Sequence, residues 1–184
     1  MKIKLLVVIS LMVVMSAAMV APVMAAETGT STITGNPGAA IDITVTGSIS
    51  NWALVAGVTN TNSAAVKLIT SSNKVGWTVS VKDALDGSKD SGTAGKMANW
   101  TGSVYESDSL AASLHVTGET VSGKTTGGVE RTLSDSDQTI ETGLAEVSSQ
   151  SMDITIGQNV AYTDPILPSP NVYRIIVTFT GSVA

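Results

Sequence analysis

Alternating apolar and polar residues between positions 75 and 82 form the most regular pattern in the chain. Val75, Trp77, Val79 and Val81 are separated by Gly, Thr and Ser residues. A period of two is typical of a β-strand that buries one face and exposes the other. Because the indole of Trp77 needs a second layer to cover it, we predict a central strand of a two-layer domain with Trp77, Val79 and Val81 in its core.

The last strand of the domain is predicted from the same period. Ile175, Val177 and Phe179 are predicted core residues, and they alternate with Ile176 and Thr178 near the end of the chain. Ile176 on the opposite face predicts that this strand is covered on both sides near its middle. Ile41 and Ile43 begin a similar pattern that predicts the first strand. Shorter strands are predicted within residues 53–58, 65–70, 110–116, 129–133, 138–141 and 152–156.

Turn signals separate these segments. The Asn-Thr-Asn-Ser sequence at residues 60–63 predicts a turn. The short Ser-Ser-Asn sequence at residues 71–73 predicts a second turn, through which residues 65–70 form a hairpin with the Trp77 strand. No segment shows a convincing helical period. The sequence therefore predicts an all-β fold, an antiparallel β-sandwich of two sheets with an immunoglobulin-like or jelly-roll-like arrangement.

The N-terminal region has the organisation of a secretory signal. Lys2 and Lys4 precede a nearly continuous apolar run over residues 5–20, and Val23-Met24-Ala25 then supplies the small-residue pattern of a cleavage site. We interpret residues 1–25 as a cleaved signal peptide. The alternative is an uncleaved anchor, since the run approaches the length that spans a bilayer. Residues 26–40 then form a flexible leader or a donor or edge strand, and residues 41–184 form the sandwich.

Composition narrows the possible functions. The chain has 10 basic and 15 acidic residues, a net charge of -5 and no Cys. A weakly acidic chain lacks the basic surface that would attract nucleic acids or anionic lipids, so we expect neither as a partner. The absence of Cys excludes thiol nucleophiles and thiolate metal sites.

Catalytic side chains are scarce. His115 is the single His, and it lies between Leu114 and Val116 in a predicted strand. Ser113 and Asp108 are near enough in sequence to leave a hydrolytic triad as an alternative. A His on the solvent face of a strand explains the pattern better, and we predict that the protein is not an enzyme.

Two groups of acidic residues are candidate cation sites. Asp83, Asp86 and Asp90 share one Gly-containing loop, and Asp135 and Asp137 form a smaller group. Oxygen-rich loops bind Ca²⁺, but the spacing differs from the EF-hand pattern. Solvated loop acids are the favoured interpretation, with no metal and no cofactor.

The Trp residues outside the central strand could bind a ligand. Trp52 and Trp100 follow Asn residues in turn-like sequence, and two exposed indoles on one face would form a platform for a glycan. The alternative is that at least one is buried. Asn99 is the acceptor of an Asn-Trp-Thr sequence, and its glycosylation would require a surface position.

Several strand sequences together resemble one family of proteins. They are residues 66–68, 72–73, 76–81, 95–97, 114–116, 138–140, 158–160, 164 and 173–180. In order and type they resemble the secreted prokaryotic β-sandwich proteins related to the WxL surface-domain family, which share a general design with fibre-forming subunits of spore coats and biofilm matrices. The resemblance implies a β-sandwich that binds peptidoglycan or assembles at the surface.

The chain departs from this family in one respect. Trp52-Ala53-Leu54 is its single Trp-x-Leu tripeptide, and the closing strand has Val177-Thr178-Phe179 instead. The missing second motif weakens the implied peptidoglycan binding more than the implied fold.

These observations lead to a functional expectation. We expect a secreted structural protein at the cell surface, a subunit of an extracellular filament or matrix that associates with itself or with other surface proteins. A segment within residues 27–49 would pair with an exposed sheet edge of the next subunit. The alternative is a module that binds cell-wall or exopolysaccharide glycans through Trp52 and Trp100.

Overall fold

The computed structural model describes residues 34–184, of which Gly38–Ala184 form one compact unit. The predicted signal peptide, residues 1–25, and the leader up to residue 33 lie outside the described residues. Within residues 34–184 there are twelve β-strands, one 3-10 turn at Ser91–Thr93 and no α-helix. All strand pairs are antiparallel, so the predicted all-β class is confirmed.

The strands form three sheets. The first half of the chain supplies β1 Ile41–Thr46, β2 Thr59–Ser72, β3 Thr78–Asp83, β4 Lys96–Trp100, β5 Tyr105–Ser113 and β6 His115–Thr117. The second half supplies β7 Thr125–Thr126, β8 Arg131–Thr132, β9 Gln138–Gly143, β10 Val147–Asn159, β11 Val172–Arg174 and β12 Val177–Ser182. Their orders are β1-β2-β10-β6-β8, β12-β3-β9-β7 and β11-β4-β5.

The two larger sheets form the layers of a β-sandwich. Leu68 and Ile154 point inward from the first sheet, and Val79 and Val81 point inward from the second. These side chains belong to one continuous buried cluster, to which the small third sheet adds residues such as Leu110. The alternation of apolar residues with Thr or Ser therefore corresponds to strands that bury one face between the layers, as predicted.

Trp77 lies at the centre of this core. It is fully buried together with Val79 and Val81, and its Nε1 donates a hydrogen bond to the carbonyl of Ala145 at 3.0 Å. Gly143 lies directly against the indole, where an added Cβ would be 2.0 Å from Nε1. The core can therefore hold the Trp only because β9 has no side chain at this position.

The variant Gly143→Ala should lower the free energy of unfolding by about 1 to 3 kcal/mol, because its methyl group would overpack the indole. Thermal unfolding followed by Trp fluorescence measures the loss. Gly157→Ala is the matched control, since its Cβ would have no atom closer than 3.5 Å. Equal melting temperatures for the two variants would contradict this packing.

The Trp77 strand begins later than the alternation suggests. Val75 is 54% exposed and precedes the first residue of β3, Thr78. Gly76 adopts a φ of +83° and donates its N–H to the Gly143 carbonyl at 2.9 Å. The prediction that Val75 shares the buried face is therefore wrong, because the chain turns at Gly76.

The predicted closing strand is divided between two sheets. β11 ends at Arg174 in the third sheet, and β12 begins at Val177 in the second. Ile175, Val177 and Phe179 are partly buried and pack against the core cluster. These predicted core residues thus lie at the margin of the core and not at its centre.

Three further local predictions are wrong. Residues 53–58 form no strand, and residues 60–63 lie inside β2 instead of in a turn. Asn62 Oδ1 accepts the N–H groups of Ala64 and Ala65, and the β2–β10 register shifts at this point, so the Asn-rich sequence forms a bulge. β2 and β3 do not form the predicted hairpin, because they belong to facing sheets.

Candidate functional site

The first strand lies at an edge of the sandwich. All six residues of β1 pair with β2, from Ile41 opposite Ser72 to Thr46 opposite Lys67. Within the described residues β1 has no second strand neighbour, and β12 likewise pairs on one side alone. The two edge strands lie beside each other, which leaves unpaired backbone groups of both sheets along one margin.

β1 covers an apolar groove at this margin. Ile41 and Ile43 are half-buried, whereas the other residues of the strand are exposed. Beneath them is Gly181 of β12, where an added Cβ would lie 3.0 Å from Cγ2 of Ile43. We call the place that β1 occupies, between the edge of β2 and Gly181 of β12, the groove.

An irregular segment connects β1 to β2. Residues 47–58 contain no regular strand, and Gly47, Asn51 and Gly57 have positive φ angles. Trp52 and Leu54, the apolar residues of the single Trp-x-Leu tripeptide, lie in this segment and pack partly against the core. The Gly57 N–H also donates to the Val160 carbonyl at 2.7 Å, and the segment gives β1 a long connection to the rest of the domain.

The predicted glycan platform is covered in part. Trp100 is half-buried in β4, and the Arg174 guanidinium carbon lies 4.2 Å from the centre of its ring. Tyr105 packs on the same indole with a distance of 4.9 Å between ring centres. Trp52 is half-buried as well, so neither indole is an open aromatic surface.

Asn99 does not have the surface position that its glycosylation would require. Asn99 is 4% exposed in β4, where it pairs with Tyr173 of β11. The strand turns its side chain inward, so the folded domain does not present Asn99 to a glycosylation enzyme. The sequence around Asn99 does not indicate that its side chain points inward.

His115 has an acidic neighbour in place of a triad. It lies in β6, half-buried, and its Nδ1 is 3.2 Å from Oε1 of Glu130. In the described part of the chain no hydrogen bond or ion pair joins it to Ser113 or Asp108. The arrangement is that of a His beside a surface carboxylate.

The loop of three Asp residues is organised around a buried ion pair. The side chains of Asp83 and Lys89 are fully buried and bonded to each other. Asp83 also accepts the N–H groups of Leu85 and Gly95, at 3.1 and 2.8 Å, and Lys89 donates to the Lys96 carbonyl at 2.7 Å. The interpretation of Asp83 as a solvated loop acid is therefore wrong.

The other two acids of this loop also have structural partners. Asp90 accepts the Gly92 N–H at the start of the 3-10 turn, and Asp86 lies 3.5 Å from Arg174. Burial lowers the pKa of Lys89, and the Asp83 carboxylate opposes that change. The loop is thus a folded element in which each of the three Asp side chains has a hydrogen-bond or ion-pair partner.

Glu141 is a buried acid that the sequence did not reveal. It is fully buried in β9, and neither carboxyl oxygen has a hydrogen-bond partner within the described residues. Burial raises its pKa to about 7; the nearby Thr125 hydroxyl lowers it and the Glu119 carboxylate raises it. A register shift opposite Val79 and Ser80 turns Ile140 and Glu141 inward together, which simple alternation does not predict.

Comparison with known proteins does not extend these observations. No protein-family model matches the chain, and a search of curated proteins gives no match. Across residues 34–184 the structure has no helix that is both long and apolar enough to cross a bilayer. The same residues contain no cluster of three or more His, Cys, Asp or Glu side chains suited to a metal ion. The resemblance to WxL-related proteins stays a prediction.

Proposed function

We propose that this protein is a secreted structural subunit of a cell-surface filament or matrix, which assembles by exchanging β1 between copies. In the assembly, β1 of one subunit occupies the groove along β2 of the next. The partner is therefore a second copy of the same chain. The role is mechanical and not catalytic.

The observation that supports this proposal best is the position of β1. It is an edge strand, none of its residues is fully buried, and its inward residues Ile41 and Ile43 lie in a groove over Gly181. A second copy offers the same groove, so exchange preserves the contacts of the closed subunit. The contacts that are lost when β1 leaves its own subunit form again when β1 binds the next subunit. Protein concentration therefore decides whether the monomer or the filament predominates.

The connection after β1 makes this exchange geometrically possible. Residues 47–58, if extended, would span roughly 40 Å, which is comparable to the width of a small domain. The side chains that hold this segment, such as Trp52 and Leu54, are only partly buried. Opening therefore requires release of marginal contacts while the central core stays intact.

Strand exchange also explains why an exposed edge persists. Edge strands of soluble proteins usually carry Lys, Pro or other features that block pairing. β1 contains Asp42 as its single charged residue and no Pro. A Thr-rich edge with few charges is suited to pairing with another strand.

The test is assembly of the chain expressed from Ala26. At high concentration we expect filaments in electron micrographs and a concentration-dependent rise in light scattering. A peptide of residues 38–46 should inhibit growth by occupying the groove. A matched peptide with Ser in place of Ile41 and Ile43 should inhibit much less. Protein that remains monomeric at millimolar concentration, or inhibition that is equal for the two peptides, would contradict the proposal.

A further inference from the structure

The carboxyl group of Glu141 lies among oxygen atoms that cannot donate to it. A Cβ built on Gly127 would lie 2.7 Å from Oε1 of Glu141 and 2.8 Å from the carbonyl oxygens of Gly118 and Glu119. One built on Gly118 would lie 2.2 Å from the same Oε1 and 2.8 Å from the Ile140 carbonyl oxygen. Acceptors from two separate segments, residues 118–119 and 140–141, thus converge beside two residues that have no side chain.

The nearest hydroxyl does not relieve this arrangement. Thr125 Oγ1 donates to the Glu119 carbonyl at 3.2 Å and accepts the Val121 N–H at 3.1 Å. The Gly118 carbonyl already accepts the Gly128 N–H at 2.7 Å. Both oxygens of the carboxyl group therefore lie beside acceptor oxygens and have no donor of their own within the described residues, and a bound positive species would satisfy them.

We propose that the Glu141 carboxylate, the carbonyl oxygens of Gly118 and Glu119 and the Thr125 hydroxyl bind a calcium ion. Both Glu141 oxygens and the carbonyl oxygens can coordinate one cation at the same time. A proton, in contrast, satisfies one carboxyl oxygen and leaves the other without a partner. The nearby Glu119 carboxylate adds negative charge that favours a divalent ion.

The donor set decides which cation binds. It contains oxygen atoms alone, which suits hard cations and excludes the nitrogen and sulfur ligands that zinc prefers. Ca²⁺ accepts irregular cages of carboxylate and carbonyl oxygens, while Mg²⁺ requires a nearly ideal octahedron. One direct carboxylate predicts weak binding, with a dissociation constant on the order of 10⁻⁴ to 10⁻³ M, as in extracellular modules.

Solvent lies close to this site. A cavity of about 110 Å³ is lined by Thr126, Gly127, Arg131 and residues 139–142, which include Glu141. A short movement of the 118–127 loop would admit an ion together with water ligands. The site would then tie this loop to β9 near the free edge of the second sheet.

Thermal unfolding of the chain expressed from Ala26 tests the proposal. After treatment with EDTA at pH 7.5, addition of 10 mM CaCl₂ should raise the melting temperature by about 4 °C. MgCl₂ and NaCl at equal ionic strength should give less than a third of that rise. Isothermal titration with CaCl₂ should fit one ion per chain.

Two variants and one control identify the ligands. Glu141→Gln should abolish the calcium response, and Glu141→Asp should also abolish it because the shorter side chain withdraws the carboxylate while keeping its charge. Glu146→Gln, which removes an exposed acid from the same region, should respond like the wild type. A wild type that does not respond to calcium, a magnesium response of equal size, or a calcium response that survives in both Glu141 variants would overturn the site.

Discussion

The variant Lys89→Met should lower the free energy of unfolding by about 3 to 5 kcal/mol, because it leaves the buried Asp83 carboxylate without its cation. The N–H groups of Leu85 and Gly95 would still donate to that carboxylate, but the Lys96 carbonyl would lose its donor. Since most domains have only 5–15 kcal/mol of stability, such a loss should be evident in urea unfolding at neutral pH.

A double variant and a surface pair provide the controls. Asp83→Asn with Lys89→Met removes both charges, keeps an acceptor for the two N–H groups, and should recover much of the loss. Lys67→Met breaks the Lys67–Asp153 pair, whose side chains are 49% and 43% exposed, and should cost at most about 1 kcal/mol. A Lys89→Met variant as stable as Lys67→Met would show that the ion pair does not organise the loop.

In calcium-free buffer, Glu141→Gln should match the wild type near pH 4 and exceed it by about 3 kcal/mol at pH 8. The folded pKa of about 7 lies above the ordinary 4.5, so the unfolded chain releases its proton first as the pH rises. The wild type therefore loses stability between about pH 4.5 and 7. The Gln amide avoids this loss because it is neutral and can donate to the surrounding carbonyls.

Denaturant unfolding at several pH values measures this difference. Glu146→Gln should follow the wild type across the range, since Glu146 is exposed. Excess CaCl₂ should reduce the gap at pH 8 if the cation occupies the site. Parallel profiles of wild type and Glu141→Gln without calcium would show that Glu141 is ionised at neutral pH in the fold.

The residues that alternate strictly in sequence made the fold class predictable. Trp77, Val79 and Val81 follow a period of two, and burial on one face of a strand follows from it. The same rule failed at Val75, where Gly76 turns the chain with a positive φ. Periodicity therefore predicts which residues are buried but does not locate the end of a strand.

Strand pairing could not be predicted in the same way. β2 pairs with β1 and β10, while the nearby β3 lies in the facing sheet. An apolar face is buried equally well by either layer, so alternation does not specify the partner. Asn60 and Asn62 predict a turn because Asn side chains favour turns. In the structure both residues lie in β2, where Asn62 stabilises a bulge.

The candidate sites depended on contacts between distant segments. Asp83 is buried because the loop that carries Lys89 closes over it. The spacing of the acidic residues alone predicts instead that Asp83 is exposed to solvent. Glu141 was hidden because a bulge turns two successive residues inward, contrary to alternation. The orientation of Asn99 likewise follows from the packing of the third sheet and not from its acceptor sequence.

Disulfide trapping tests β1 exchange most directly, because the chain has no Cys of its own. Thr44 faces Ile69 across β1 and β2, so Cys at both positions can form a disulfide across that pair. Thr180 faces Ser80 across β12 and β3 and provides the control pair. Filaments grown under reducing conditions, then oxidised and denatured, should give covalent multimers for the first pair and monomers for the control. Monomers from both pairs would show that β1 stays in its own subunit and would contradict strand exchange.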